Sequence, residues 1–129
     1  MKKLLLFSFF IASFATYAMN YSFDSEQRYG PAMRILVVYT EDGQKIGQIV
    51  YSKVEGEIAD ITIVDGMRKK GIGTELFRRA VEDMKEHSEV SWYATSNAVG
   101  FYTKLGAQID KHSPFGGAHM SIDPKKLFE

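Results

Sequence analysis

The stretch IADITIVDGMRKKGIGTELFRRAVEDM, residues 58–84, changes its hydrophobic period halfway along. From Ile58 to Val64 the side chains alternate, with Ile61 and Ile63 on one face and Thr62 and Val64 on the other. That is a strand, and apolar residues on both faces place it centrally in its sheet. Asp65-Gly66 ends it with a turn signal. Beyond the loop, Ile72, Leu76, Ala80 and Met84 recur every fourth residue, and Phe77 and Val81 widen the stripe. Arg78, Arg79, Glu82, Asp83 and Lys85 occupy the other side. This spacing predicts an amphipathic helix. The chain therefore reads strand, basic glycine-containing loop, helix.

The flanks fit a sheet protein. Upstream, Ile35–Tyr39 and Ile46–Val54 are β-rich runs separated by Glu41-Asp42-Gly43, a hairpin signal. Downstream, Val90, Trp92 and Ala94 alternate with Ser91, Tyr93 and Thr95, a strand whose Trp92 belongs to the core. A short helix from about Asn97 to Leu105 ends at Gly106. Ala107–Ile109 and His119–Ile122 complete the sheet, and Lys125 and Lys126 read as a solvated tail. Residues 20–32 are polar and contain no strand signal. The order of elements predicts an α/β or α+β domain.

Composition narrows the chemistry. The chain has 129 residues, one domain's worth, with 16 Lys+Arg against 16 Asp+Glu. Such a balance gives no broad nucleic-acid or anionic-membrane surface. There is no cysteine, so disulfides, thiol nucleophiles and Cys-bearing zinc sites are excluded. His87, His112 and His119 lack metal-ligand spacing, so no metal is expected.

Residues 1–18, MKKLLLFSFFIASFATYA, stand apart: Lys2 and Lys3, then an uncharged run from Leu4 to Ala18. They resemble a secretory signal peptide, and the run is shorter than the roughly 20 residues of a membrane span. The expectation is an exported domain of residues 19–129 with no stable membrane insertion. A start at Met19 would instead give a cytoplasmic protein. Without Lys2 and Lys3, 14 basic residues face 16 acidic ones, a net charge of −2.

The loop Arg68-Lys69-Lys70-Gly71-Ile72-Gly73 carries the most information. The first amides of a helix lack intrahelical partners and attract phosphate. Glycines let the backbone approach an anion closely. The loop therefore predicts a pyrophosphate site on the backbone from Lys69 to Thr74, with Arg68, Lys69 and Lys70 adding charge. It is not a Walker loop, because Thr74-Glu75 follows Gly73. Nor is it a dinucleotide fingerprint, whose third glycine would fall at Leu76.

Two motifs together resemble those of the GNAT superfamily of N-acetyltransferases. Arg68-x-x-Gly71-x-Gly73 is similar to its acetyl-CoA signature, preceded by Ile61-x-Ile63. The run Ser96-Asn97-Ala98-Val99-Gly100-Phe101-Tyr102, continuing through Lys104-Leu105-Gly106, is similar to its second motif. The resemblance covers about Lys45 to Ala107. It implies a mixed, mostly antiparallel sheet flanked by helices. It also implies acetyl-CoA as co-substrate, with its pantetheine along Ile61, Thr62 and Ile63, and its pyrophosphate on Gly71, Ile72, Gly73 and Thr74. Asn97 is a further coenzyme contact on this resemblance. Tyr102 falls at the general-acid position, and Glu57 where some members carry a catalytic glutamate. Asp60, expected on the face of Ile58 and Thr62, is the second candidate base.

The resemblance also leaves a gap. Many family members have a strand and two helices before the hairpin, and those helices help build the acceptor site. Here about 15 polar residues stand in their place. The acceptor side is abbreviated or completed by a second subunit, as in a homodimer. A small amine, an aminoglycoside-like compound, a peptide terminus and a protein lysine all stay open as acceptors. The competing reading is a non-catalytic coenzyme A-binding or protein-interaction module on the same fold. Export adds a tension, since acetyl-CoA is cytosolic.

Overall fold

A computed structural model describes residues 19–24, 32–66 and 71–128. The leader-like residues 1–18 and the basic loop residues Arg68, Lys69 and Lys70 lie outside the described residues. The elements run β1 (Asn20–Phe23), β2 (Met33–Tyr39), β3 (Lys45–Ser52), β4 (Glu57–Ile63), α1 (Ile72–Asp83), β5 (Val90–Ala94), α2 (Val99–Lys104), β6 (Gln108–His112), β7 (Ala118–Ile122) and α3 (Pro124–Leu127). The described strands form one sheet in the order β1-β2-β3-β4-β5-β7-β6. Every neighbouring pair is antiparallel except β4–β5, which is parallel.

One face of the sheet carries the main core. Ile72, Leu76, Phe77, Ala80 and Val81 of α1 are buried. They pack with Leu36, Val38, Ile49, Tyr51 and Ile58. Each large side chain so buried contributes roughly 1.5–3 kcal/mol, which outweighs the middling helix propensity of a β-branched or aromatic residue. Val90, Trp92 and Ala94 of β5 belong to the same core, as the alternation predicted. Ile35, Val37 and Val50 form a smaller cluster on the opposite face.

Three details differ from the sequence reading. Residues 20–23 do form a strand. Its edge position against β2 asks little of the sequence, because the ladder supplies the pairing that a polar four-residue run cannot signal. Lys125 and Lys126 lie exposed on a short helix whose N-cap Asp123 accepts from the backbone N–H of Lys125 at 3.0 Å. The third difference falls on β4. Tyr51 pairs with Ile58 but Val50 pairs with Asp60, so Ala59 is an extra residue, a bulge. The bulge resets the alternation. Ile58, Ile61 and Ile63 all join the helix-side core, and Asp60 turns with Thr62 to the far face opposite Val50. Asp60 therefore does not share the face of Ile58.

Asp83, the last residue of α1, ties the helix to the hairpin. It accepts from the Tyr51 hydroxyl at 2.5 Å, from Arg34 at 2.8 Å and from Lys53 at 3.2 Å. Burial works against its charge, but the Tyr51 hydrogen bond, then Lys53 and Arg34, outweigh it and hold the carboxyl below its ordinary value. The same burial and the carboxylate push the Tyr51 phenol up. Arg34 and Lys53 are substantially exposed, so their share is small. A carboxyl whose pKa is lower folded than unfolded stabilises above its unfolded value of about 3.9. That stabilisation is lost as pH falls through the folded value. Asp83→Asn should therefore cost about 1–3 kcal/mol at pH 7. Urea unfolding should show the difference between the two proteins closing below about pH 4.

Candidate functional site

The site begins where a ladder stops. β4 and β5 pair only at Glu57↔Ser91 and Ile58↔Trp92. Beyond those two pairs the strands part, and the edge of β4 that faces β5 has no strand partner. Backbone donors and acceptors are costly to bury unpaired, so this edge is suited to an extended ligand that adds itself as a strand. Between the strands lies a gap of about 140 Å³, lined by Ala59, Asp60, Tyr93, Thr95 and Tyr102 among others. It meets a larger cleft of about 620 Å³, lined by Ile61, Thr62, Ile63, Gly71, Gly73, Thr74, Ala98, Phe101 and Tyr102. Ile61, Ala98 and Tyr102 border both.

The cleft floor is the start of α1. Gly71 is the N-cap, with φ 78° in the left-handed region, and no side chain caps the helix. The first N–H bonded within the helix is that of Glu75, to the Gly71 carbonyl at 3.0 Å. The amides of Gly71, Ile72, Gly73 and Thr74 thus stand outside the helical ladder. Glu75, the acidic residue of the first turn, is drawn to Arg79 at 2.9 Å. A Cβ at Gly71 would meet nothing within 4 Å, so its φ rather than crowding selects glycine there. A Cβ at Gly73 would sit 3.6 Å from the Phe101 ring, an ordinary van der Waals contact. The Ile72 side chain is buried in the core, so only its backbone faces a ligand.

Tyr102 is held by aromatic packing. Its ring lies 5.0 Å from Trp92, 5.6 Å from Phe77 and 5.0 Å from Phe101, centroid to centroid. Only 5% of it is exposed. Burial, and secondarily the charge of Asp60, push its phenol up to about 12. It stays protonated throughout the neutral range.

The other predicted residues divide. Ile61, Thr62, Ile63, Gly71, Gly73 and Thr74 line the cleft as expected. Glu57 is exposed at the closed end of the gap, beside Ser91, and lines neither cavity. Asn97 lies before α2 rather than capping it. The N-cap is Ala98, and the Asn97 side chain accepts from the Thr95 hydroxyl at 2.7 Å. Phe101, Tyr93 and Thr95 were missed as lining residues. Phe101 lay within the second motif, but nothing in a single sequence says which helix residue faces a cleft in another layer. Among the described residues no cluster of three metal-ligating side chains occurs, and no helix is long and apolar enough to cross a membrane.

Comparison with known proteins agrees with this geometry. A family model described as "Acetyltransferase (GNAT) family" matches residues 3–107, a span that includes most of the leader-like segment. Solved structures with similar folds include a nourseothricin acetyltransferase, 18% identical, covering 82% of this chain and 84% of that one, TM-score 0.61. Tetrahymena GCN5 is 20% identical over 74% of this chain and 70% of its own, TM-score 0.62. A spermidine N-acetyltransferase from Vibrio cholerae, in complex with CoA and spermine, is 18% identical over 77% and 70%, TM-score 0.63. No curated protein matches the sequence.

Two substitutions at Gly71 separate backbone strain from ligand exclusion. Gly71→Ala should cost about 1 kcal/mol of stability through its left-handed φ and leave coenzyme A affinity nearly intact. Gly71→Glu should lower that affinity more than tenfold in a calorimetric titration, by placing a carboxylate beside the free amides. Equal affinities in all three proteins would remove the phosphate from the α1 terminus.

Proposed function

The chain belongs to the GNAT acetyltransferase family, and on that premise we propose that it transfers the acetyl group of acetyl-CoA to a primary amine by direct attack. The observation that carries this reading is the parting of β4 and β5 after two register pairs, above an uncapped helix terminus. A pantetheine arm has amides that pair with the free edge of β4, and a pyrophosphate fits the four free amides of α1. Arg68, Lys69 and Lys70 immediately precede Gly71 in sequence and add three positive charges to the segment before α1.

The chemistry follows from the residues in place. The acceptor ammonium gives one proton to water and becomes a nucleophile. Its nitrogen bonds to the thioester carbon while a backbone N–H of the β4 edge, in the Ile61–Ile63 region, stabilises the oxygen that gains charge. The C–S bond then breaks, and the sulfur leaves as a thiolate beside Tyr102. An alkyl thiol has a pKa near 8.5, so complete transfer from a phenol at about 12 is uphill by roughly 5 kcal/mol. Tyr102 therefore acts as general acid chiefly by donating a strong hydrogen bond to the departing sulfur. The amide nitrogen loses its second proton as the product forms, and that proton reaches the thiolate through solvent to give the free thiol. In sum, one acetyl group moves, one thiol is released and one proton goes to solvent.

Tyr102→Phe keeps the ring and its packing and removes the donor. It should lower kcat by about 10²–10⁴-fold while the affinity for acetyl-CoA changes less than twofold. Stopped assays of thiol release with an amine panel, read beside calorimetry, check this. Binding of coenzyme A without transfer to any amine or protein would instead favour the non-catalytic module.

A further inference from the structure

The two faces of the sheet are furnished unequally. All three described helices pack against the main core, α1 through Leu76 and Phe77, α2 through Tyr102 and α3 through Leu127. The opposite face carries Ile35 and Val37 of β2 and Val50 of β3. Among the described residues, the apolar side chains packed against them are Met33 and Tyr39, both from β2 itself. Yet Ile35 is 4%, Val37 0% and Val50 1% exposed. Strand neighbours do not account for this. Val37 stands between Ser22 and Gln48 in the register, both polar. Such flanks shield a side chain from the sides and leave its tip to the next layer, about 10 Å above the sheet. Farther across the same face the residues are open to water: Tyr93 is 55% exposed, and Asp60 and Thr62 are exposed. The β2–β3 half of this face is therefore covered, and the β4–β5 half is not.

Two stretches outside the described residues can supply the cover. Residues 25–31, SEQRYGP, offer only Tyr29 and Pro31 among polar and charged side chains. Residues 4–18, LLLFSFFIASFATYA, carry no charge and are rich in leucine and phenylalanine. Their point of entry is close to the cluster. Asn20 pairs with Tyr39, and Val37 is two residues along β2, about 7 Å away. Met19 and Tyr21 already pack into the main core, so the helix side beside that entry is occupied. The family match also begins at residue 3, within this stretch rather than after it. A segment removed on export lies ahead of the domain it directs.

We propose that residues 4–18 are retained in the folded protein and form the cover over Ile35, Val37 and Val50. An uncharged apolar stretch meets an uncharged apolar cluster. Lys2 and Lys3 lie before the stretch, so no charge enters the contact. The apolar character that resembles an export signal then serves burial. The two roles exclude each other, because a signal is cut away and its domain folds without it, whereas a cover has to stay. Loss of the cover would leave an apolar patch on β2 and β3, open to association with a second copy of the chain.

The test uses the full chain with a C-terminal tag. After expression in a bacterium competent for export, its intact mass should include residues 1–18. A mass that starts after residue 18 overturns the proposal. The chain has no cysteine, so introduced pairs report proximity cleanly. Gln48→Cys, beside Val37, is combined in turn with Phe7→Cys, Phe10→Cys and Phe14→Cys. As a control, Arg78→Cys on the exposed side of α1 takes the place of Gln48→Cys. At least one pair with Gln48→Cys should close an intramolecular disulfide on mild oxidation, and no pair with Arg78→Cys should. The reverse result, or closure in no pair, overturns the proposal. Disulfides between chains assign the face to a second copy and overturn it too. Phe7→Ser, Phe10→Ser and Phe14→Ser together should raise binding of a hydrophobic dye severalfold and lower the urea midpoint, while Tyr29→Ser changes neither. A larger effect from Tyr29→Ser makes residues 25–31 the cover, and the proposal fails.

Discussion

Two register pairs between β4 and β5 hold the single parallel contact among the described strands, and what happens after them shapes everything else. Were the ladder to continue, the edge of β4 would be satisfied and no ligand could lie along it. Because it stops, a central strand has polar backbone on one side and an open cleft in front of it. Trp92, Phe77 and Tyr102 pack together with centroids 5.0–5.6 Å apart, Phe77 and Trp92 edge to face and Tyr102 tilted against both. Their packing holds Tyr102 where it borders both cavities.

The burial of β4 reflects the same constraint. A strand fourth in a seven-stranded sheet is normally covered on both faces, yet only Ile58 of β4 is buried. Ile61 and Ile63 touch the helix-side core but also line the cleft, so they are only half-buried. The charge distribution is equally local. Chain-wide neutrality coexists with an uncapped helix start on one side of β4 and a carboxylate on the other. The bulge at Ala59 separates these two chemistries, since without it Asp60 would point into the helix-side core.

Much of this was legible in residues 58–84. The four-residue spacing from Ile72 to Met84 and the glycines before it define a helix with an open, uncapped start, and local rules are enough to read that. The two motifs, read together, led to the fold and to the cleft lined by Ile61–Ile63, Gly71 and Tyr102. Other features were invisible for stated reasons. β1 is only four residues long, too short a run to signal a strand alone, and it pairs along the edge that β2 offers. The bulge is a property of register between β3 and β4, so the sequence pattern puts Asp60 on the face of Ile58, where the structure does not.

By itself the sequence determined the elements whose cause is local: the hydrophobic period of α1, the turn at Asp65-Gly66, the left-handed glycine before the helix. It also located an uncapped run of consecutive backbone amides suited to a phosphate, because such a run needs only consecutive residues. Only the tertiary structure decided where β4 and β5 part, which face Asp60 occupies, and which aromatic rings pack around Tyr102. Those depend on pairings between residues tens of positions apart, where a shift of one residue in register reverses every side chain beyond it.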